Sequence, residues 1–264
     1  MTASASARPP GTPTATDPSD PVHIRVRGLH KRYGEHHVLK GLDVDLLRSR
    51  VNMVIGPSGS GKSVLMRQVT RLERPDAGRI LLDGEDIAAV EGRALAAARR
   101  RFGMVFQLSA LFDSMTVYDN VAFPLREHTR LSEREIRERV MQRLAELAVD
   151  HAADKMPAEL SGGMQRRVAV ARALMLDTEI LIYDEPTTGL DPITARQVDD
   201  LIVETRERHG VTTVVVSHDI ASVFRIAEHV VFLHFGEVLV AGAPEAVRHA
   251  EHPTVAAFLA SAGL

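Results

Sequence analysis

The sequence predicts an α/β fold: a largely parallel sheet wrapped by helices, with an antiparallel layer near the N-terminus. Three observations carry this. Apolar runs at 51–55, 104–106, 180–183 and 212–216 alternate with stretches of helical period, the pattern of parallel strands joined by crossover helices. Near the start, Ile24 and Val26 alternate with Arg25 and Arg27, as in a half-buried strand, and Val38 to Leu46 suggests a partner for it. Acidic and basic side chains gather where the later apolar runs end, which is where open α/β sheets place their chemistry.

Taken in order, residues 1–21 are rich in Ala, Ser, Thr and Pro and read as a disordered leader. No apolar stretch follows a basic start there, so it is not a secretory signal. Between the first two strands, Tyr33 reads either as a platform for a nucleobase or as a half-buried strand-end aromatic. Gly56-Pro57-Ser58-Gly59-Ser60-Gly61-Lys62-Ser63 follows the third apolar run and opens a helix expected to reach about Glu73. It fits the pattern G-x-x-x-x-G-K-[ST] in full. Glycines let backbone amides close around phosphate oxygens, and the helix N-terminus adds positive dipole. Lys62 is then expected on the β- and γ-phosphates and the Ser63 hydroxyl on Mg²⁺.

A turn at 75–78 and a strand at 80–82 come next, followed by a helix at 91–101 that ends in Arg99-Arg100-Arg101. Such a run is ordinarily a solvated helix end; the sharper reading is contact with a partner protein or lipid headgroups. Leu108 to Leu125 is unusually apolar for a loop, with Leu111, Phe112, Met115, Val117 and Phe123. It is either core of a helical subdomain or a docking surface. Ser132 and Glu135 form a capping box, and Ile136, Val140, Leu144 and Leu147 keep helical spacing behind it. Glu133 with Arg137 and Glu135 with Arg139 are spaced to pair along that helix. Helices are also expected from Leu160–Met164 to about Met175 and from Ile193 to about His209, a hairpin across 230–240, and a small terminal helix at 247–264.

Composition narrows the function. The chain has 264 residues, 45% hydrophobic and 25% charged, enough for a sizeable core. Its formal net charge of −3 gives no global field for nucleic acid. It has no cysteine, which removes disulfides, thiolate chemistry and Cys-ligated zinc. No apolar run approaches the roughly 18 residues that read as a membrane span, so any membrane role must come through a partner.

The remaining chemistry lies in one order along the chain. Asp184, at the end of an apolar strand, is expected to hold Mg²⁺, and Glu185 after it to orient or deprotonate water. Gln107 can sense Mg²⁺ and the attacking water, and His218 can donate to the γ-phosphate. Together Gly56–Ser63, Gln107, Leu160–Met164, Leu181–Glu185, Gly189–Asp191 and His218 resemble the motif set of ABC transporter ATPase subunits, over roughly residues 22–260. The resemblance implies a P-loop NTPase fold of ABC ATPase type, with a RecA-like parallel-sheet core, an N-terminal antiparallel β subdomain and a helical signature subdomain at about 108–175, within an ATPase domain at 22–246. It implies a head-to-tail homodimer with two ATPs, each held by Gly56–Ser63 of one subunit and by Ser161, Gly162 and Gly163 of the other. Asp191 contributes at the same interface, and Tyr33 stacks on adenine.

A finer likeness runs through Phe106–Glu127, Met156–Met164 and Asp191–Thr194, which look like the Mla/Mce-type lipid-transport ATPases. It implies a transmembrane permease that moves phospholipids, a possible Mce-domain lipid-binding protein, and a peripheral place on the cytoplasmic face of the inner membrane. An importer of amino acids or another small polar solute is the alternative. Ser49-Arg50 stands where many family members have Gly-Glu, and Val64 where Thr is usual.

Overall fold

The computed structural model describes residues 21–107 and 109–261; the leader expected at 1–21 lies outside them but for Pro21. The elements are β1 (Val22–Tyr33), β2 (His36–Leu47), β3 (Val51–Ile55), α1 (Lys62–Val69), β4 (Ala77–Leu82), β5 (Glu85–Asp86), α2 (Gly92–Arg100), β6 (Phe102–Phe106), α3 (Val117–His128), α4 (Glu133–Glu146), α5 (Gly162–Ala173), β7 (Ile180–Asp184), α6 (Pro192–His209), β8 (Thr212–Val216), α7 (Ile220–Ile226), β9 (His229–His234), β10 (Glu237–Gly242), α8 (Pro244–Arg248) and α9 (Pro253–Ser261).

Two sheets form. The antiparallel one has the order β2-β1-β4-β5, and the larger has the order β10-β9-β3-β8-β7-β6. In the larger sheet every pairing is parallel except the β9–β10 hairpin. All residues of β3 and β8 are buried, because both faces of the sheet are covered. Alternate side chains serve two cores. Met53, Ile55, Tyr183 and Val215 join the helices α3 to α7 on one face. Val54, Ile182, Val214 and Val216 join α1 and the antiparallel sheet on the other. The register sets Asp184 beside Val216 and Val54 beside Val216. The carboxyl ends of β3, β7 and β8 are therefore level, and the loops leaving them meet.

Several elements differ from expectation. Helix α1 stops at Val69, short of Glu73, because Arg71 takes a left-handed φ of 56°. The chain then turns so that Glu73 meets Arg67 at 2.9 Å and the Tyr33 hydroxyl. The capping box at Ser132 and Glu135 is present, but the charge pairs are not those expected. Glu133 pairs with Arg126 of α3 at 2.9 Å, Glu135 is drawn back to Ser132, and Arg134 reaches Glu138 at 3.5 Å. A bidentate arginine from a neighbouring helix and the cap itself win over the pairs along the helix. The C-terminus is two helices, α8 and α9, the first straddling the boundary expected at 246/247 and the second opened by Pro253; residues 262–264 lie outside those described. In the arginine run, Arg99 donates to Arg71 O at 3.2 Å and Arg101 to Glu179 at 2.7 Å and to Asp83. Two of its three members are thus committed inside the fold. Ser49 stands at φ 51°, a left-handed position that explains why glycine is usual there.

Candidate active site

The loop after β3 is shaped by close backbone approach. Gly56 has φ 144°, and a Cβ there would sit 2.0 Å from Leu233 O, so no side chain fits. The loop delivers α1 with Gly61 at its cap in a left-handed conformation and no side-chain cap bond. The first-turn N–H groups are left to meet an anion. Lys62 folds back over the loop, donating to Gly56 O at 2.9 Å and Pro57 O at 3.1 Å. Burial pushes its pKa down, while the charges of Glu185 and Asp184 oppose that shift. Both carboxylates therefore act on the same lysine.

Their shared orientation has a backbone cause. Successive strand residues point to opposite faces, but Glu185 takes φ 51° just where β7 ends. Its N–H donates to Val216 O at 2.9 Å, which anchors the turn to β8. Glu185 Oε2 accepts from the Thr188 hydroxyl at 2.8 Å and lies 2.8 Å from His218 Nδ1. Two groups thus hold one carboxylate oxygen. Asp184 Oδ1 is buried without a hydrogen-bond partner, and burial, then the Glu185 charge, raises its pKa. An orphaned buried carboxylate oxygen beside a serine-bearing helix start is a donor set that suits a hard divalent cation.

A cavity of about 390 Å³ opens beside the loop, lined by Ser58, Gly59, Gly61, Lys62, Ser63, Val64, Glu185, His36 and Val38. Tyr33 is not among the lining. Its hydroxyl donates to Glu73, its ring lies 5.5 Å from Lys31 Nζ, and the residue is 42% exposed. Gln107 is exposed in the turn after β6 and is not in the lining. Ser161 caps α5, accepting from Met164 N–H at 3.4 Å, and is exposed with Gly162 and Gly163. Asp191 caps α6, accepting from Ile193 and Thr194 N–H at 3.0 and 3.1 Å, and these bonds with the Thr194 hydroxyl hold its pKa down. None of these lines the cavity of its own chain. Thr188 was missed in the sequence, although a hydroxyl three residues after a turn-forming Glu185 is a signal for a local bond.

A second concavity of about 360 Å³ lies below Gln107. Phe106, Phe112, Phe123 and Pro124 line it with Arg172. Phe112 and Phe123 meet at 5.1 Å, and Phe106 and Phe112 remain 42% and 41% exposed. Of the apolar residues singled out after Gln107, Phe112 and Phe123 face this cleft. Val117 is core, and Leu111 packs against that core.

A parallel sheet with a phosphate-type loop after one strand and a held acid pair after another defines a nucleoside-triphosphate-binding protein of the P-loop class. Residues 39–188 match the family model for ABC transporters, and the chain belongs to that family. It is 41% identical over 236 residues to the intermembrane phospholipid transport system ATP-binding protein MlaF of Escherichia coli K12, covering 89% of this chain and 88% of that protein. It is 38% identical over 238 residues to the probable ribonucleotide transport ATP-binding protein mkl of Mycobacterium leprae, covering 90% of this chain and 69% of that one. Among solved structures, cbiO1 of Clostridium perfringens, part of the ABC transporter complex cbiONQ, superposes with a TM-score of 0.80 at 33% identity, over 87% of this chain and 91% of that one. A dimeric ATP-binding cassette bound to ADP and Pi after hydrolysis gives 0.73 at 32% identity, over 84% and 98%. Among the described residues no helix is long and apolar enough to cross a membrane.

Proposed function

We propose that this chain is the ATP-hydrolysing subunit of an ABC transporter that drives phospholipid movement through a partner permease. The observation that carries the hydrolytic reading is Glu185, turned out of β7 at φ 51° and fixed by His218 and Thr188 toward the loop of Lys62. Both of those bonds fall on Oε2, which leaves Oε1 to take a proton from water as it attacks the terminal phosphorus of ATP. The bond from that phosphorus to the bridging oxygen breaks, and its electron pair leaves on ADP. His218 donates from Nδ1 to Glu185, so it donates to the γ-phosphate from Nε2 only as the imidazolium, with a proton on each nitrogen. Lys62 leaves its carbonyl partners for the phosphates, and the amides of Gly56–Ser63 surround them. Ser63 and Asp184, with Gln107 completing the set, are the residues that would hold Mg²⁺, which when bound neutralises charge on the phosphate oxygens.

Residues 22–246 act as the ATPase domain, with the helices of 108–175 as a lobe that presents Ser161, Gly162, Gly163 and the apolar cleft. Those three residues and Asp191 serve the ATP of a second copy, in a homodimer. The likeness to the MlaF proteins, over 88% of the Escherichia coli protein, supports phospholipid as the cargo and a permease in the membrane; the proposal adds an Mce-domain lipid-binding protein beyond it and a peripheral place on the cytoplasmic face of the inner membrane. The name of the mkl relative is the observation behind a second reading, a small polar solute. It weighs less because the matched part is a smaller share of that protein. Affinity purification of the tagged chain from its own cells, with the permease identified and its lipid transport assayed in vesicles, tests the reading. A permease that moves phospholipid only with ATP is expected; capture of a polar-solute permease instead would leave the ATPase standing and overturn the cargo.

A further inference from the structure

Ser109 and Ala110, close after Gln107, stand in an unfavourable shape, gripped by a side chain of the helix that carries Ser161. Ser109 and Ala110 both take left-handed angles, φ 60° and 45°, which residues with a Cβ adopt rarely and seldom in succession. Ser109 N–H donates to Phe106 O at 2.9 Å and closes the turn around Gln107. Such backbone persists only where its surroundings over-determine it.

Here one side chain, Arg172, reaches the turn, and a second, Asn120, braces it and the chain that follows. Asn120 of α3 is fully buried. Its amide nitrogen donates to Phe112 O, Met115 O and Thr116 O at 3.1, 3.1 and 3.0 Å, and its oxygen accepts from Phe112 N–H at 2.8 Å. Arg172 comes from the last turn of α5. One guanidinium nitrogen donates to Ser109 O at 3.2 Å and another to Asn120 Oδ1 at 3.4 Å, and the group lies 5.6 Å from the centre of the Phe112 ring. Arg172 is half-buried and lines the open cleft, and burial pushes its pKa down. What the arginine adds is its fork, which bonds two segments at once.

We propose that Arg172 is the positioning residue that couples nucleotide at Gln107 to the apolar cleft and to Ser161. It grips the strained turn at Ser109, touches the cleft wall at Phe112, and sits on the same rigid helix as the Ser161 cap. A shift of the turn when Gln107 engages nucleotide is therefore passed to both. The inference rests on the reading of Gln107 as a nucleotide-sensing residue.

The chain has no cysteine, so Ala110→Cys, at an exposed position on the cleft rim, takes a single environment-sensitive fluorophore. In the full chain, ATP with Mg²⁺ is expected to shift its emission. Adding Arg172→Lys, which keeps the charge but not the fork, abolishes that shift while ATP affinity and melting temperature hold. In the complex with the permease, Arg172→Lys lowers the permease-stimulated kcat by up to about tenfold with KM for ATP unchanged, within the range of measured coupling energies. Arg172→Gln, with one neutral amide, is read by the same assay and keeps the test open should the lysine variant fold poorly. An emission shift that survives in a folded variant at position 172 overturns the proposal. A parent chain that binds ATP with no shift at all overturns the Gln107 reading, and this inference with it.

Discussion

At the residue scale, the site turns on single side chains whose surroundings differ sharply. Glu185 is fixed through one oxygen and has the other free, so Glu185→Gln should bind ATP normally and lose about 10²–10⁴-fold in turnover, the usual contribution of a positioned base. Nucleotide binding and single-turnover hydrolysis, measured side by side, check it; near-normal hydrolysis would remove Glu185 from the role. Asp199 gives a pH dependence. Its carboxyl is 3% exposed, Oδ2 accepts from Ser222 at 2.9 Å, Arg225 is 3.5 Å away, and Oδ1 has no partner. Burial raises its pKa to about 6. A raised carboxylate favours the fold while protonated, so its contribution is complete below the unfolded value near 4 and is lost as pH rises through 6. Urea titrations from pH 4 to 7.5 should therefore show a loss of about 2–3 kcal/mol on raising pH that Asp199→Asn lacks, at 1.36 kcal/mol per pKa unit. Parallel pH profiles for the two proteins would contradict it.

At the element scale, much was legible because each signal was local. The phosphate-type loop, the Ser132 capping box, the parallel strands and the acid at the end of β7 each announce themselves within a few residues. What the sequence hid depends on which of several competing side-chain partners wins once the elements pack. The end of α1 depends on Arg71 and the pull of Glu73, the partner of Glu133 is Arg126 on α3, and the Tyr33 hydroxyl is taken by Glu73. The run 108–125 was ambiguous because it serves two purposes: α3 buries Val117, Val121 and Leu125 while Phe123 and Pro124 of the same helix line the cleft. Two outcomes separate those purposes. Ser132→Ala removes the cap of α4 and should cost about 1 kcal/mol, lowering the melting temperature by about 2–4 °C for a chain of this size with no change in permease binding. Phe112→Ala removes a ring that is 41% exposed. It should weaken permease binding by about tenfold or more, as for an aromatic anchor worth over 1.4 kcal/mol, while ATP binding by the isolated chain is kept. Intact association in that variant would sink the docking role of the cleft.

At the scale of the whole molecule, the cavity at Lys62 and the exposed start of α5 are separate features. The cavity at Lys62 is lined by none of Ser161, Gly162 or Gly163. Those residues instead stand exposed at the start of α5, where Ser161 satisfies one first-turn N–H and leaves others free, a helix end suited to an anion. Asp191 stands exposed at the start of α6, its carboxylate committed to capping. We propose that two copies placed head to tail close both sites at once, an arrangement whose two-fold symmetry makes each interface the same. Lys62→Ala and Ser161→Arg are each expected to be inactive alone, since every site in either homodimer lacks one half. In a mixed dimer, one site carries both lesions and the other carries neither. Mixing the two proteins with permease should therefore restore part of the ATPase activity, provided one working site suffices for turnover. Tagging the chains differently and isolating the mixed dimer makes the measurement direct. Activity in a demonstrably monomeric Ser161→Arg protein would show that Lys62 needs no second chain and would end the two-copy arrangement.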